Sequence, residues 1–108
     1  MSPPTVAAMR HRVTIEAPID VPDDLGGFMR TFAPRARVWA QIDALGASEQ
    51  FVEQRPEQLR RYAVTVRWRA DLKSDMRFDF RGRKLVIRSL EDKGERRRFL
   101  QCLCEEFS

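Results

Sequence analysis

The sequence predicts a mainly β protein, a small six-stranded antiparallel β-barrel with a helical or loop insertion between strands two and three. Three observations support this fold class. Apolar and polar residues alternate in six short stretches, as they do in strands that bury one face. Turn-forming residues separate most of these stretches. The chain of 108 residues supports one domain, and six short strands in one domain favour closure, because a closed barrel has no exposed edges.

The amino-terminal residues predict an arm followed by the first strand. Residues 1–8 contain two prolines and no charged side chain. We therefore expect a flexible arm before a single domain at residues 9–107. Residues 11–17 alternate, with Val13 and Ile15 on the face that we expect to be buried.

A long turn and an interrupted strand come next. Residues 18–28 contain the prolines, aspartates and paired glycines of a turn that is longer than the tight two-residue kind. The second strand is predicted at residues 35–45. Pro34 interrupts the extended stretch, and a proline inside a strand indicates a sheet edge or a bulge.

Residues 46–61 predict a helical insertion. Ser48 can cap the amino terminus of a helix, and Glu49 and Glu53 suit its early turns. Pro56 cannot lie inside a continuous helix without the loss of a hydrogen bond and a steric clash. We therefore expect two helical turns, a break near this proline, and a short polar run into the next strand.

The polar composition of this insertion leaves two roles open. It can plug one end of the barrel through Phe51 and Leu59. Alternatively, it serves binding, oligomer contact or closure as a lid, which are the usual roles of a polar insertion in a small barrel.

The last four strands are predicted to follow one another as successive hairpins. We place them at residues 62–69, 76–81, 83–90 and 97–107, and the first three alternate apolar and polar side chains over most of their length. The middle of the last strand is apolar on both faces, because Leu100, Cys102 and Cys104 alternate with Phe99 and Leu103.

The composition limits where in the cell the protein can be made and which classes of partner it can bind. Twenty basic against sixteen acidic residues leave a net charge of +4, which is modest and spread along the chain. No apolar run reaches the roughly 18–20 residues of a membrane span, so we expect no membrane partner. No signal peptide is visible at the amino terminus, and two cysteines are too few for a disulfide framework. We therefore expect a soluble protein made in a reducing cytoplasm.

The sequence offers no catalytic, metal or cofactor site. His11 is the single histidine and stands beside two arginines at the start of a strand. Cys102 and Cys104 lack the second ligand pair that a zinc site needs, so we interpret them as core thiols. We expect a protein that is not an enzyme.

One alternative function is a stand-alone nucleic-acid-binding barrel. Such barrels stack bases on exposed strand aromatics beside a basic groove. The candidate residues are Trp39, Trp68, Phe78 and Phe80, with Arg37, Arg67, Arg69, Arg77 and Arg81. For each aromatic, burial in the core is the competing interpretation.

Several short motifs, each different, occur along the chain in a characteristic order. They are Arg10–Glu16, Gly26-Gly27, Val38-Trp39-Ala40, Glu49, Val64–Arg69, Met76-Arg77, Gly82-Arg83, Arg97–Leu100 and Cys102–Glu105. Their order and spacing resemble those of the phage head–tail joining family, also called head closure or stopper proteins. The resemblance covers residues 9–107, nearly the whole chain.

The resemblance implies a connector in the neck of a tailed phage, a prophage-derived particle or a gene transfer agent. Such subunits form a ring of six or twelve copies below the portal or adaptor ring. The ring retains packaged double-stranded DNA, which passes through its lumen, and docks the tail terminator or tail tube.

The resemblance also assigns candidate sites. The insertion at residues 46–61 corresponds to the family's channel-facing segment, so its polar residues are candidate channel-lining or gating groups. These are Ser48, Glu49, Gln50, Glu53, Gln54, Arg55, Glu57 and Gln58.

Ring closure needs two complementary faces on each subunit. Opposite charges can supply that complementarity. The candidate contacts are Asp20, Asp23 and Asp24 on one face and Arg35, Arg37, Arg67 and Arg69 on the other.

Overall fold

The computed structural model describes residues 8–52 and 55–107, with the side chains of residues 8–47 and 58–107. The strands are β1 (His11–Pro22), β2 (Phe28–Val52), β3 (Arg55–Arg67), β4 (Arg77–Phe80), β5 (Arg83–Lys93) and β6 (Phe99–Phe107). The predicted arm at residues 1–8 lies outside the described residues except for Ala8. Across the described ranges, no helix is long and apolar enough to cross a membrane.

The six strands form a closed antiparallel ring in the order β1-β2-β3-β6-β5-β4. The ring closes where β1 pairs with β4. This arrangement confirms the predicted six-stranded antiparallel fold. The prediction of successive hairpins is wrong at one junction, because β3 pairs with β6 and not with β4. The connection at residues 68–76 is too long for a tight turn, and it buries Leu72 and Met76 in the core.

The first two strands are longer than predicted. β1 continues to Pro22 and β2 begins at Phe28, so the turn predicted at residues 18–28 shrinks to residues 23–27. β1 pairs with β4 only as far as Glu16. Residues 17–33 therefore leave the barrel as a two-stranded extension, called here the β1–β2 ribbon.

A bulge marks the base of the β1–β2 ribbon. Ile15 is opposite Ala36 and Glu16 is opposite Pro34, which leaves Arg35 as an extra residue on β2. The prediction that Pro34 marks an edge or a bulge is confirmed. A bulge bends its strand and increases the local twist, so the ribbon departs from the barrel at this point.

The helix predicted within residues 46–61 is wrong. Backbone pairing continues from Gly46 opposite Arg61 to Val52 opposite Arg55, so this segment is a second projecting extension, called here the β2–β3 hairpin. Helix-capping residues express only a local preference, and the ladder that β2 and β3 already share overrides it. Pro56 is tolerated because β6 does not extend to it, so this part of β3 is an edge.

Strand alternation builds the core. Inward-facing side chains from all six strands are buried together with the two core residues of the 68–76 connection. They are Val13, Ile15, Ala40, Val64, Val66, Phe78, Leu85, Ile87, Leu100, Cys102 and Cys104. The predicted buried face of the first strand, with Val13 and Ile15, is therefore confirmed. Leu103, on the outer face of β6, is exposed, so that strand is not buried on both faces.

A polar cluster joins β3, β5 and β6 at the edge of the core, where Tyr62 packs against the buried side chains. Arg83 donates two hydrogen bonds of 2.8 Å to the carboxylate of Glu106 and one of 2.7 Å to the hydroxyl of Tyr62. The Glu106 side chain is mostly buried. The hydrogen bonds from Arg83 lower the pKa of Glu106 below its ordinary value.

We expect the Arg83–Glu106 pair to contribute to stability above about pH 4.5 and to lose that contribution as the pH falls further. The reason is that Glu106 has a lower pKa in the folded than in the unfolded chain, so acid protonates the unfolded chain first. Glu106→Gln should lower the free energy of unfolding by about 1–2 kcal/mol at pH 7. Urea denaturation at pH 7 and pH 3 measures both effects.

The matched control is Glu91→Gln, since Glu91 is exposed on β5 and makes no ion pair with a described residue. The control should follow the native protein at both pH values. The prediction would be contradicted if the difference in free energy of unfolding between Glu106→Gln and the native protein were the same at pH 7 and pH 3.

Candidate functional site

The β2–β3 hairpin contains the predicted gating residues. Ser48, Glu49 and Gln50 lie on the β2 arm, and Arg55, Glu57 and Gln58 lie on the β3 arm. Glu53 and Gln54 lie outside the described residues. The backbone thus places these polar residues along an extension that starts at the barrel rim.

A bulge and a glycine stand at the base of the β2–β3 hairpin. The register shifts between Ala44 and Gly46, which leaves Leu45 as an extra residue on β2. Gly46 adopts a φ of 139°, a region that side-chain-bearing residues rarely occupy. At the other arm, Leu59 is fully buried beside the end of β6. These features fix the direction in which the hairpin leaves the barrel.

The predicted acidic contacts lie at the end of the β1–β2 ribbon, but they are not equivalent. Asp20 forms an ion pair with Arg30 across the ribbon, at 3.1 Å. The Oδ1 atom of Asp23 accepts hydrogen bonds from the amides of Leu25 (2.9 Å) and Gly27 (2.8 Å), so this carboxylate holds the turn together. Asp24 is exposed and forms no ion pair with a described residue.

The predicted basic contacts come together at the opposite end of β1. Arg37, Arg67 and Arg69 line one groove, although they come from β2, β3 and the loop after β3. Arg35 is linked to them through Asp71, which accepts two hydrogen bonds from Arg69 at 3.0 and 3.1 Å and lies 3.6 Å from Arg35. Hydrogen bonds from Arg69 lower the pKa of Asp71, so this carboxylate stays ionised.

This arginine–tryptophan groove has a volume of about 590 Å³. It is lined by Met9, Val38, Trp39 and Trp68 together with Arg12, Arg37, Arg67 and Arg69. Its surface is mostly apolar, and Arg12, Arg37 and Arg67 are its exposed arginines beside the half-buried Arg69. A shallower, more polar recess adjoins it and shares Arg12, Arg37 and Trp39.

The arginines of the groove differ in their partners. Arg12 lies over the ring of Trp39, with its guanidinium carbon 5.0 Å from the ring centroid. Arg69 is neutralised by Asp71. Arg37 and Arg67 are exposed and pair with no carboxylate in the part of the chain that the structure describes. The groove therefore carries uncompensated positive charge that suits an anionic group.

The aromatic residues proposed for base stacking differ in how far they are buried. Phe78 is fully buried in the core, and Phe80 is half-buried against His11 and two arginines. Trp68 packs against the core and lies under Arg97. Trp39 is 53% exposed. The structure thus leaves one widely exposed aromatic face on this side of the barrel.

Sequence reasoning missed the apolar end of the β1–β2 ribbon. Leu25 is 94% exposed, Phe28 71% and Met29 62%, and Ile19 and Val21 are also exposed. Interpretation of residues 18–28 as a turn hid the strand pairing that places Val21 beside Met29. The available signal was the presence of large apolar residues within an acidic turn, where loops are normally polar.

Titratable groups that could support catalysis or metal binding are dispersed. Among the described residues, no three histidine, cysteine or acidic side chains form a group that could hold a metal ion. Cys102 and Cys104 are free and buried. Burial raises the pKa of Cys102 to about 12 and also raises that of Cys104, which keeps both thiols protonated and unreactive at neutral pH.

Comparison with known proteins connects this architecture to phage particles. The model of a family described as phage head completion protein matches residues 4–106. That match confirms the resemblance identified from the strand motifs. Comparison with curated proteins finds no match.

Two solved structures share the fold. A chain in the virion of a native gene transfer agent particle aligns with a TM-score of 0.81 at 21% identity, covering 92% of this chain and 94% of that one. Protein SF1141 from Shigella flexneri 2a, solved in solution, aligns with a TM-score of 0.67 at 22% identity and covers 94% and 95% of the two chains. At these identities the two likenesses establish the fold alone.

We expect Asp23 and Asp24 to have different effects on the ribbon turn. Asp23→Ala removes the acceptor of two turn amides, so the amides of Leu25 and Gly27 should exchange hydrogen about fivefold faster. Asp24→Ala should leave both rates unchanged and is the matched control. Amide exchange followed by nuclear magnetic resonance measures the rates. Equal rates in the two variants would show that the side chain of Asp23 does not order the turn.

Proposed function

Because the chain belongs to the family of phage head completion proteins, we propose that it is a structural connector subunit in the neck of a tailed phage or phage-like particle. It forms a ring of six or twelve copies below the portal or adaptor ring. The ring retains packaged double-stranded DNA and docks the tail terminator or tail tube. The subunit acts through its surfaces and carries out no catalysis.

The observation that carries this proposal is the length of β2. Its 25 residues run from the ribbon through the barrel wall into the β2–β3 hairpin, so the chain projects beyond the barrel at both ends of one strand. A straight strand of that length would span about 80 Å. The whole molecule measures 48 Å in its longest dimension, so β2 bends as it passes the two bulges. A closed barrel with two projecting hairpins suits a subunit that contacts neighbours on several sides.

The composition of the β2–β3 hairpin supports a channel position. Residues 48–58 contain three glutamates against one arginine, so the hairpin carries net negative charge. Negative side chains repel DNA phosphates, so a gate built from them does not bind the DNA that must later pass. The hairpin is also an isolated two-stranded element beyond the end of β6, and such elements change conformation at low cost.

We expect a shortened β2–β3 hairpin to abolish DNA retention without unfolding the barrel. Ser48 pairs with Leu59, so replacing residues 49–58 by Asn-Gly closes the hairpin with a two-residue turn and keeps the buried leucine. The purified variant should unfold within a few degrees of the native protein. Particles that contain it should be sensitive to nuclease or lack tails, as measured by nuclease digestion and electron microscopy.

A length-matched control replaces residues 49–58 by a glycine-serine segment of equal length. Restored DNA retention by this control would mean that hairpin length suffices, whereas continued leakage would assign the role to its polar side chains. Stable, tailed, nuclease-resistant particles with the shortened hairpin would contradict the gating role. Collapse of the purified fold would favour a plug that the barrel needs for its own stability.

A second candidate function is nucleic-acid binding by the isolated barrel. The observation that favours it is the exposed face of Trp39 beside Arg12, Arg37 and Arg67. Base stacking on an aromatic ring within a basic groove is sequence-tolerant and contributes substantially to affinity.

Salt dependence separates the two functions. As a connector, the free chain should bind double-stranded DNA too weakly to measure at physiological salt. As a stand-alone binder that uses Arg12, Arg37 and Arg67, it should lose affinity steeply, with a slope of about −3 in log K against log salt. Fluorescence anisotropy over a salt series measures the slope. A steep slope that falls by about two in Arg37→Ala/Arg67→Ala would establish the second function.

A further inference from the structure

We propose that the end of the β1–β2 ribbon of one subunit inserts into the arginine–tryptophan groove of the next copy and so closes the ring. This inference deepens the proposed function and rests on it. The ribbon end is defined by Asp24, Leu25, Phe28 and Met29, with Leu25 as the residue that enters the groove.

The ribbon end is an apolar surface that the chain itself does not cover. Leu25 is almost fully exposed, and Phe28 and Met29 are exposed over more than half of their surface. Val21 is paired with Met29, and Ile19 lies on the same face of the ribbon, whereas Phe28 lies on the other face beside Pro22. Apolar side chains that cluster on a projecting element mark an interaction site far more often than scattered ones do.

The turn that presents Leu25 is ordered before any contact. The Asp23 carboxylate accepts hydrogen bonds from the amides of Leu25 and Gly27. The amide of Asp23 in turn donates to the carbonyl of Gly27 at 2.9 Å. Gly26 supplies the positive φ of 82° that the turn requires. An ordered turn loses little conformational entropy when it binds, which favours insertion as a rigid unit.

The groove complements the ribbon end in both polarity and charge. Its walls include Val38 and two tryptophan rings, which suit Leu25 and Phe28. Its rim holds Arg37 and Arg67, which have no carboxylate partner among the described residues. Residues 20–30 contain three aspartates against one arginine, and Asp24 is the carboxylate that its own ribbon leaves unpaired.

A single chain cannot fill its own groove with its own ribbon. Arg12 is at the groove and Pro22 is at the ribbon end, so β1 separates the two surfaces by about 30 Å. Two different complementary surfaces on one subunit make a heterologous contact, which generates rings when the rotation closes. The occupant that fits this geometry is therefore a second copy of this chain.

A second apolar depression is the competing acceptor. It lies between Leu45 and Leu103, with Ser89 at its edge, and its volume is about 190 Å³ against 590 Å³ for the groove. Arg61 and Arg88 beside it are both paired with Glu105. The smaller volume and the neutralised arginines make it a poor receptor for a turn that carries Leu25 and Asp24.

Site-directed cross-linking in assembled particles tests the contact. The double variant Leu25→Cys/Arg67→Cys places one thiol on the ribbon end and one on the groove rim, both on exposed residues. The native Cys102 and Cys104 are buried, so a short bifunctional maleimide labels the new thiols. Leu25→Cys/Ser89→Cys is the matched control and probes the competing depression. Denaturing gels resolve the products.

We expect the first variant to give a ladder of multimers up to the full ring, and the control and single-cysteine variants to stay at least tenfold less cross-linked. A ladder in the control instead would move the ribbon end to the depression and overturn the proposal. Cross-links from Leu25→Cys to a portal, adaptor or tail protein would also overturn it. An absence of cross-links in particles that contain many copies would reject this contact and leave the connector function intact. Particles assembled with the native sequence that lack this chain would reject the connector function itself.

Discussion

The barrel depends on its shortest ladder, the seam between β1 and β4. Three residues of β1 (Thr14–Glu16) pair with three of β4 there, and without them both strands would be open edges. Glu16 stands at this seam and is mostly buried, and it accepts hydrogen bonds from Arg77 at 2.7 Å and from Lys84 at 3.2 Å. A buried carboxylate is tolerated only when it is paired in this way, so the ion pairs and the seam hold each other in place. The bulge opposite Glu16 also directs the ribbon outward, so closure and projection arise from one short segment.

Stability should fall from the barrel toward the two hairpins. Inside the ring each strand has neighbours on both sides and contributes side chains to a common core, whereas the β1–β2 ribbon and the β2–β3 hairpin each have only two strands. Elements of this kind open locally at low cost, and their conformations can be selected by a partner. The polar clusters around Glu16 and Arg83 lie on barrel strands. They therefore stabilise the scaffold, and Arg77 also lies over the ring of Phe32 near the base of the β1–β2 ribbon, 3.8 Å from its centroid.

Local sequence pattern predicted the strands and the core, because period-two alternation is a local consequence of burying one face. Val13 and Ile15 illustrate this success. The pattern failed where pairing is non-local: the capping preference of Ser48 predicted a helix, but the ladder between β2 and β3 determines the backbone there. The groove could not be assembled from sequence either, because Arg37 and Arg67 meet through the β2–β3 register. Their selection as contact candidates came from charge alone, which could not show that they share a tryptophan-lined groove.

A ring built from ribbon-to-groove contacts need not be stable as an isolated pair. One such contact buries a single turn against one groove, an area well below that of a standard stable protein interface. Closure of the ring makes the assembly more stable than an isolated pair of subunits. Each subunit then makes two contacts, and the last contact forms intramolecularly at a high effective concentration. A preformed ring above it, such as a portal or adaptor, would hold the subunits at that concentration. Weak contacts with a rigid barrel and an ordered turn therefore favour assembly on a particle over premature association in solution. Assembly of this kind depends on the feature that also defines the fold, which is a closed barrel whose longest strand continues past both of its ends.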